Sequence, residues 1–154
     1  MTAKLILLAA LPLLALLPGP AAAASIADAR SAVVRGTLNY LNTPYLWGGM
    51  HRDTGMDCSA FVKQVYADAG LQLPRASREQ YARTQRLAPA EVRPGDLVFF
   101  AMKSPGTARV DHVGVYVGKG YFVHASFTNG VHIDSVANPY YFSRLVAVRK
   151  YRGF

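Results

Sequence analysis

The stretch Asp57-Cys58-Ser59-Ala60-Phe61-Val62 opens a segment whose apolar residues recur with the period of a helix. The residues that share this apolar face are Cys58, Phe61, Val62, Val65, Tyr66 and Ala69. Their spacing predicts a helix with one buried face, with Asp57 as the N-cap and Gly70 as the C-cap. Cys58, the only cysteine of the chain, then lies at the N-terminal end of the core-facing stripe.

This position makes Cys58 a candidate nucleophile. The unpaired N–H groups and partial positive charge of a helix N-terminus stabilise a thiolate, so we expect a lowered pKa for the Cys58 thiol. A single cysteine also has no partner for an intramolecular disulfide. The alternative is that Cys58 is only a small buried apolar residue. Catalysis would require partners elsewhere in the chain.

The first 24 residues have the pattern of a secretory signal peptide. Lys4 precedes an apolar run over residues 5–17, which a Pro-Gly-Pro break and four alanines follow. The run is shorter than the ~20 residues of a bilayer span. The small residues that follow it predict cleavage near Ala24–Ser25. An uncleaved anchor is the alternative, which the Pro-Gly-Pro break disfavours. We expect an exported protein of the periplasm, cell envelope or extracellular space, without stable membrane insertion after cleavage.

Residues 25–154 are expected to form one domain. They contain no internal repeat, low-complexity tract or linker, and their length suffices for a buried core. The net charge of +8 favours anionic surroundings such as cell-wall polymers or phospholipid head groups. The densest basic residues, between 75 and 93, are typical of a solvated helix face. We therefore expect no nucleic-acid partner.

The order of elements predicts an α+β domain. Helical periodicity covers residues 26–41 and, more briefly, 77–84. After Pro94-Gly95 the pattern changes to short runs rich in strand formers, at 96–101, 112–117, 121–126, 131–133 and 145–149. Helices followed by a meander of strands indicate N-terminal helices packed on a central antiparallel sheet.

Two histidines are predicted to share one face of that sheet. In the strand 111–117 the valines lie on one face and His112 and Gly114 on the other. If Gly118-Lys119-Gly120 forms a three-residue loop, Gly114 lies opposite His124. The two histidines are then diagonal neighbours, about 7–8 Å apart at the backbone. A two-residue turn would shift the register and place them on opposite faces.

Cys58, His112 and His124 together form the set that thiol acyl transfer needs. The thiolate attacks a carbonyl, one histidine takes and returns the proton, and a third polar group orients that imidazole. A zinc site of the same three residues competes with this interpretation, although short paired spacings such as C-x₂-C are missing. We expect no metal and no cofactor. His51 is predicted to be a loop residue, and His132 a strand residue that faces solvent.

Six stretches carry a further signal through their order and combined spacing. They are Tyr45-Leu46-Trp47-Gly48-Gly49, Asp57-Cys58-Ser59-Ala60-Phe61-Val62, Leu73-Pro74-Arg75-Ala76-Ser77 with Gln80, 94–100, 112–118 and 122–126. In these stretches the chain resembles the NlpC/P60 family of cell-wall cysteine peptidases, over nearly all of residues 25–154. The resemblance implies a papain-like α+β fold. It also implies hydrolysis of peptidoglycan stem peptides, typically between γ-D-glutamyl and a diamino acid such as meso-diaminopimelate.

The resemblance implies a role for each matching side chain. Cys58 is the nucleophile, His112 the general base, and His124 the residue that orients His112. Tyr45 matches a tyrosine whose hydroxyl faces the nucleophile and assists the oxyanion. The residues expected to bind substrate are Asp57, Ser59, Arg75 and Ser77. Simpler roles also exist for three of them: helix cap for Asp57, first-turn residue for Ser59 and N-cap for Ser77.

Three departures from the family pattern bear on function. The loop before Asp57 is about one residue longer than usual, and Ala60 replaces a common glycine, a mild change in a helix. Ala76 stands where relatives that act only on free peptides carry an acid for the substrate ammonium, so we expect cleavage of stem peptides still attached to glycan. The alternatives are an amidase or acyltransferase with the same three residues, and a catalytically silent wall-binding module. The sequence identifies no regulatory partner.

Overall fold

The computed structural model describes residues 20–154, with side chains from Ser25 onward. The predicted signal peptide lies outside the described residues, except that 20–24 form the start of a helix. Among the helices that are described, none is long and apolar enough to cross a membrane.

The helices follow the predicted periodicity, with shifted ends. They are α1 (Pro20–Leu38), α2 (Cys58–Asp68), α3 (Ser77–Ala82) and α4 (Pro139–Phe142), with a 3₁₀ turn at Pro89–Glu91. Helix α1 ends before residue 41, because the chain turns there and Asn42 adopts a φ of 66°. Helix α3 stops two residues short of the prediction, since Thr84 already belongs to a strand. Short α4 was not predicted.

Helix α2 is capped at both ends as predicted. The Asp57 carboxylate accepts the Ala60 N–H at 2.9 Å, which satisfies one of the free N–H groups at the helix start. At the other end Gly70 follows the last turn with a φ of 78°, a conformation that glycine adopts without strain. The apolar stripe is buried from Cys58 to Tyr66.

Six antiparallel strands form the central sheet, in the order β3-β8-β4-β5-β6-β7. Their bounds are β3 (Thr84–Arg86), β4 (Leu97–Phe100), β5 (His112–Gly118), β6 (Tyr121–Ser126), β7 (Gly130–Ser135) and β8 (Leu145–Tyr151). A separate hairpin pairs β1 (Met50–His51) with β2 (Gly55–Met56). Strands β1, β2 and β3 were not predicted, because two or three residues are too few to show alternation. The predicted α+β class is confirmed.

The core lies between the helices and one face of the sheet. Phe61 and Val65 of α2 are fully buried against strand residues such as Val113 and Val115. Burial of one such side chain contributes about 1.5–3 kcal/mol to the free energy of folding. A smaller cluster, around Phe100 and Phe122, covers the opposite face beneath α4. The first residue of α2 is therefore held rigidly against the sheet.

The β5–β6 hairpin has the predicted register at His124, but its turn differs from the prediction. Its turn contains two residues, Lys119 and Gly120, both with positive φ, because Gly118 already pairs with Tyr121. The three-residue loop prediction was therefore wrong. A bulge at residue 117 adds one residue to β5 and offsets the shorter turn. Beyond the bulge, Val115 pairs with Val123, and the same register places Gly114 opposite His124.

Candidate active site

Cys58 opens into a cavity of about 540 Å³ at the junction of α2 and the sheet. Its thiol is 8% exposed, and its sulfur accepts a hydrogen bond from the backbone N–H of Val113 in β5. The same cavity is lined by Tyr45, Trp47, His112, His124, Phe127 and Tyr141. The structure thus brings the predicted nucleophile, both predicted histidines and the predicted oxyanion tyrosine to one cavity.

The resting cysteine is a neutral thiol. Burial raises the pKa of the Cys58 thiol to about 12, and the nearby Asp57 carboxylate acts in the same direction. The N–H groups of Val113 and Ser59 act in the opposite direction but do not compensate. The expected lowering of this pKa by the helix N-terminus was therefore wrong. A base must take the proton when the sulfur attacks.

A hydrogen-bonded chain of three residues fixes which nitrogen can act as that base. Nε2 of His124 lies 3.0 Å from the carboxylate of Asp134, and Nδ1 of His124 lies 2.8 Å from Nε2 of His112. A carboxylate only accepts, so Nε2 of His124 carries the proton and Nδ1 has the lone pair. Nε2 of His112 must then donate, which leaves the lone pair on Nδ1 of His112. That atom is the available base.

The charge states of these three residues agree with this pattern of hydrogen bonds. Burial lowers the pKa of His112 well below its usual value, and burial lowers the pKa of His124 to about 4 despite the Asp134 carboxylate. For Asp134, burial alone would raise the pKa, but hydrogen bonds from Tyr141 and His124 hold it below its usual value. At neutral pH both rings are uncharged and the carboxylate is ionised.

The sequence analysis missed Asp134 and misplaced His132. His132 was expected to face solvent, yet it pairs with His124 across β6 and β7, and its Nε2 lies 2.8 Å from Asp134 Oδ2. Its side chain is 22% exposed. The error came from the predicted end of the strand at Ile133, which left Asp134 outside it. Alternation along the full β7 places residues 132 and 134 on the same face as His124.

Three of the predicted substrate-binding residues form a network behind the nucleophile. Both amino groups of the Arg75 guanidinium donate to Asp57, at 2.9 and 2.6 Å, and one also donates to Ser59 Oγ at 2.8 Å. Burial would raise the pKa of Asp57, but these hydrogen bonds and the Ala60 N–H hold it below its usual value. None of the three lines the cavity around Cys58. Their visible function is to anchor the start of α2.

Ser77 lies in an adjoining cavity of about 360 Å³. It is the first residue of α3, and the N-cap is Ala76, so the expected capping role of Ser77 was wrong. This cavity shares Trp47, Lys103 and Asp111 with the one around Cys58. Ser77 is therefore placed where a substrate that extends beyond the nucleophile would pass.

Tyr45 can act as a hydrogen-bond donor in the cavity. Burial raises the pKa of its phenol, and the neighbouring Cys58 and Asp57 add to the increase, so the hydroxyl keeps its proton. Its ring packs edge-on against Phe127, with centroids 5.7 Å apart. His51 is exposed and belongs to short β1 rather than to a loop.

The competing zinc site of Cys58, His112 and His124 does not fit this geometry. The Nδ1 atom of His124 is hydrogen-bonded to His112, and its Nε2 atom to Asp134. A metal between the three predicted ligands would have to break the first of these bonds.

A cysteine at a helix start, facing histidines on an antiparallel sheet, is the layout of the papain-like α+β fold. The model of the NlpC/P60 family matches residues 42–150. The chain belongs to this family.

Relatives and solved structures agree with this membership. The bifunctional muramidase/DL-endopeptidase CwlT of Bacillus subtilis is 37% identical over 120 residues, which are 78% of this chain and 36% of CwlT. The murein DD-endopeptidase MepS/murein LD-carboxypeptidase of Escherichia coli is 36% identical over 124 residues, which are 80% of this chain and 63% of that protein.

A crystal structure of a lipoprotein-like NLP/P60 protein from Staphylococcus aureus superimposes with a TM-score of 0.71 and 31% identity. The match covers 80% of this chain and 41% of that one.

Proposed function

We propose that this protein is a cysteine peptidase that hydrolyses peptidoglycan stem peptides, at the bond between γ-D-glutamyl and a diamino acid such as meso-diaminopimelate. The observation that carries this proposal is the cavity that both Cys58 and His112 line, with the base nitrogen set by His124 and Asp134. The similarity to CwlT, a DL-endopeptidase 37% identical to this chain, supports the choice of bond.

The chemistry proceeds in two acyl-transfer steps. Nδ1 of His112 takes the thiol proton as Cys58 Sγ attacks the scissile carbonyl, and the Tyr45 hydroxyl donates to the developing oxyanion. The His112 imidazolium then passes its Nδ1 proton to the leaving amine, which yields a thioester. Water attacks the thioester with His112 again as the base, the C–S bond breaks, and the proton on His112 returns to Cys58 Sγ. In both steps the ionised Asp134, acting through His124, stabilises the positive charge on His112.

The adjoining cavity favours a substrate without a free amine. Lys103, Arg78 and Arg109 line it, whereas its one carboxylate, Asp111, already accepts the backbone N–H groups of residues 102 and 103. An ammonium group placed beside Ala76 would meet these cations and find no acid to pair with. We therefore propose that the substrate is a stem peptide still attached to glycan.

We also propose that the protein is exported, with residues 25–154 as its catalytic domain. The apolar run, the Pro-Gly-Pro break and the alanines of the first 24 residues support this. Expression of the full chain in a bacterium, followed by N-terminal sequencing of the exported product, tests it. Cleavage near residue 24 is expected, and a product that starts at residue 1 and stays in the cytoplasm would contradict it.

The decisive experiment is digestion of purified sacculi, with products identified by mass. Fragments with a new γ-D-glutamyl carboxylate are expected from the wild-type chain and not from Cys58→Ala. Products cut at a D,D crosslink would favour a DD-endopeptidase activity like that of MepS, and release of the peptide from the sugar would favour an amidase. Binding without cleavage would favour a silent wall-binding module. Activity confined to free L-alanyl-γ-D-glutamyl-diaminopimelate would refute the preference for attached peptides.

A further inference from the structure

Three side chains on β6 and β7 present metal-ligand atoms to one another. The ligand atoms of His124, His132 and Asp134 all lie within 4.8 Å of one another. Asp134 Oδ2 is 3.0 Å from Nε2 of His124 and 2.8 Å from Nε2 of His132. Two imidazoles and one carboxylate, with further positions open to water, are a donor set that zinc uses in proteins. In such a site each of the three atoms would lie about 2.0–2.2 Å from the ion.

The hydrogen bonds of His132 favour a cation at this point. Its Nδ1 lies 3.0 Å from the carbonyl oxygen of Gly130, which can only accept, whereas the Ser126 hydroxyl is farther away at 3.4 Å. With a proton on Nδ1, the Nε2 atom of His132 faces Asp134 Oδ2 at 2.8 Å, where a proton or a metal ion can be shared by both atoms. Metal-bound histidines commonly donate their second N–H to a backbone carbonyl, as His132 does here.

Solvent can reach two of the three side chains, and neighbouring residues hold Asp134 and His124 in place. The side chains of His132 and Asp134 are 22% and 24% exposed, so an ion can reach them from solvent without passing Cys58. The Tyr141 hydroxyl hydrogen-bonds to Asp134 and orients its carboxylate. His124 is buried, so the third ligand is held in place by packing.

We propose that His124, His132 and Asp134 bind a divalent transition metal such as Zn²⁺, and that the bound ion inhibits the enzyme. The ion occupies Nε2 of His124, so the ring's single proton moves to Nδ1. Nε2 of His112 must then accept, and the single proton of that ring moves to its Nδ1. Nδ1 of His112, the proposed base, then carries an N–H in place of a lone pair, and the base is lost. This inhibitory consequence rests on the proposed function, whereas the metal site does not.

Calorimetric titration of the Cys58→Ala variant with Zn²⁺ tests the site without relying on activity. Removal of the thiol leaves the proposed ligands intact, so one zinc ion per chain is expected. Adding His132→Gln should weaken binding at least tenfold, because the amide can still donate to Asp134 but is a poor zinc ligand. Adding His51→Gln, which changes an exposed histidine elsewhere, should have no effect. Equal zinc affinity with and without His132, or no binding by Cys58→Ala, would overturn the site.

Nitrogen-15 spectra of the histidine rings test the proton shift. On addition of Zn²⁺ to the Cys58→Ala variant, Nδ1 of His112 should change from an unprotonated to a protonated chemical shift. A His112 ring that keeps its proton on Nε2 in the zinc-bound protein would refute the inhibitory mechanism.

Inhibition provides the functional test. Zinc should abolish hydrolysis by the wild-type chain, and a chelator should restore it. The zinc concentration for half-inhibition should rise at least tenfold in His132→Gln, measured relative to that variant's own activity. An unchanged concentration would mean that zinc acts directly on Cys58 and would refute the inhibitory role. A chain that binds zinc through His132 but hydrolyses no peptidoglycan would refute the proposed function and leave the site standing.

Discussion

Nε2 of His112 lies 2.8 Å from Nδ1 of His124, with the rings nearly perpendicular at 88°. The bond spans the backbone of Gly114, which lies opposite His124 in the sheet. An added Cβ at Gly114 would come within 3.1 Å of the His124 Cβ and 2.8 Å of the Val123 carbonyl oxygen. The absence of a side chain at residue 114 therefore allows the two imidazoles to meet.

Substitution of Gly114 by alanine should damage both stability and activity. The Val123 carbonyl belongs to the sheet backbone and cannot move aside, so we expect a loss of about 1–3 kcal/mol in the free energy of unfolding. Gly36→Ala in helix α1 is the control, because its nearest neighbour would be at 3.6 Å and alanine is the better helix former. Denaturant unfolding of both variants measures the difference. Equal stability of Gly114→Ala and wild type would contradict the described hairpin.

Replacement of Cys58 should abolish hydrolysis and leave the fold intact. Cys58→Ala and Cys58→Ser both lack the reactive thiol, so kcat/KM should fall by at least about 10³-fold. Circular dichroism and thermal unfolding of each variant serve as the folding control. Iodoacetamide should inactivate the wild-type chain slowly, because the thiol is buried and neutral, and substrate should protect it. Activity retained by Cys58→Ala would exclude a cysteine mechanism.

The two histidines should differ in their tolerance of substitution. His112→Ala removes the base and should cost about as much activity as loss of Cys58. His124→Gln should stay within about tenfold of wild type, since the amide oxygen can accept from His112 and the amide nitrogen can donate to Asp134. His124→Leu has neither group and serves as the contrast. Equal activities of the Gln and Leu variants would show that His124 does not orient the base.

Asp134 should act on turnover rather than on substrate binding. Asp134→Ala removes the acceptor that holds the proton of His124 on Nε2, and it also removes the negative charge that stabilises the His112 imidazolium. We expect kcat to fall about 100-fold with little change in KM, less than when an orienting carboxylate contacts the base directly. Asp68→Ala also loses a tyrosine hydrogen bond, to Tyr40, and is the control remote from the cavity. A KM effect alone would indicate a binding role instead.

Hydrolytic activity should persist at acidic pH. Burial lowers the pKa of His112 well below its usual 6.5, so the base remains neutral and active as the pH falls through that value. The thiol stays protonated until about pH 12, so its ionisation should not limit activity at neutral pH. Measured kcat/KM on soluble peptidoglycan fragments should have an acid limb with its midpoint below pH 6.5. A midpoint at or above 6.5 would contradict the lowered pKa of His112.

Stretches with strong local signals were predicted well from the sequence. Helix α2 and its Asp57 cap follow from interactions within a few residues of each other, which periodicity and side-chain chemistry reveal directly. The five longer strands follow from short runs rich in strand-forming residues. The placement of His112 beside His124 was predicted through the register, although a bulge at residue 117 and a two-residue turn together produced the result expected of a longer loop.

Tertiary structure alone decided the charge states of the site residues and which residues distant in sequence contact His124. The helix N-terminus predicted a lowered pKa for Cys58, but burial outweighs it, and burial depends on how α2 packs against the whole sheet. Asp134 and His132 meet His124 only because β7 pairs with β6 in one register. The sequence by itself therefore determined the longer helices and strands and the candidate nucleophile and histidines, because those depend on local chemistry. Desolvation and cross-strand contact depend on distant segments, so only the folded sheet decided which nitrogen of His112 can act as the base.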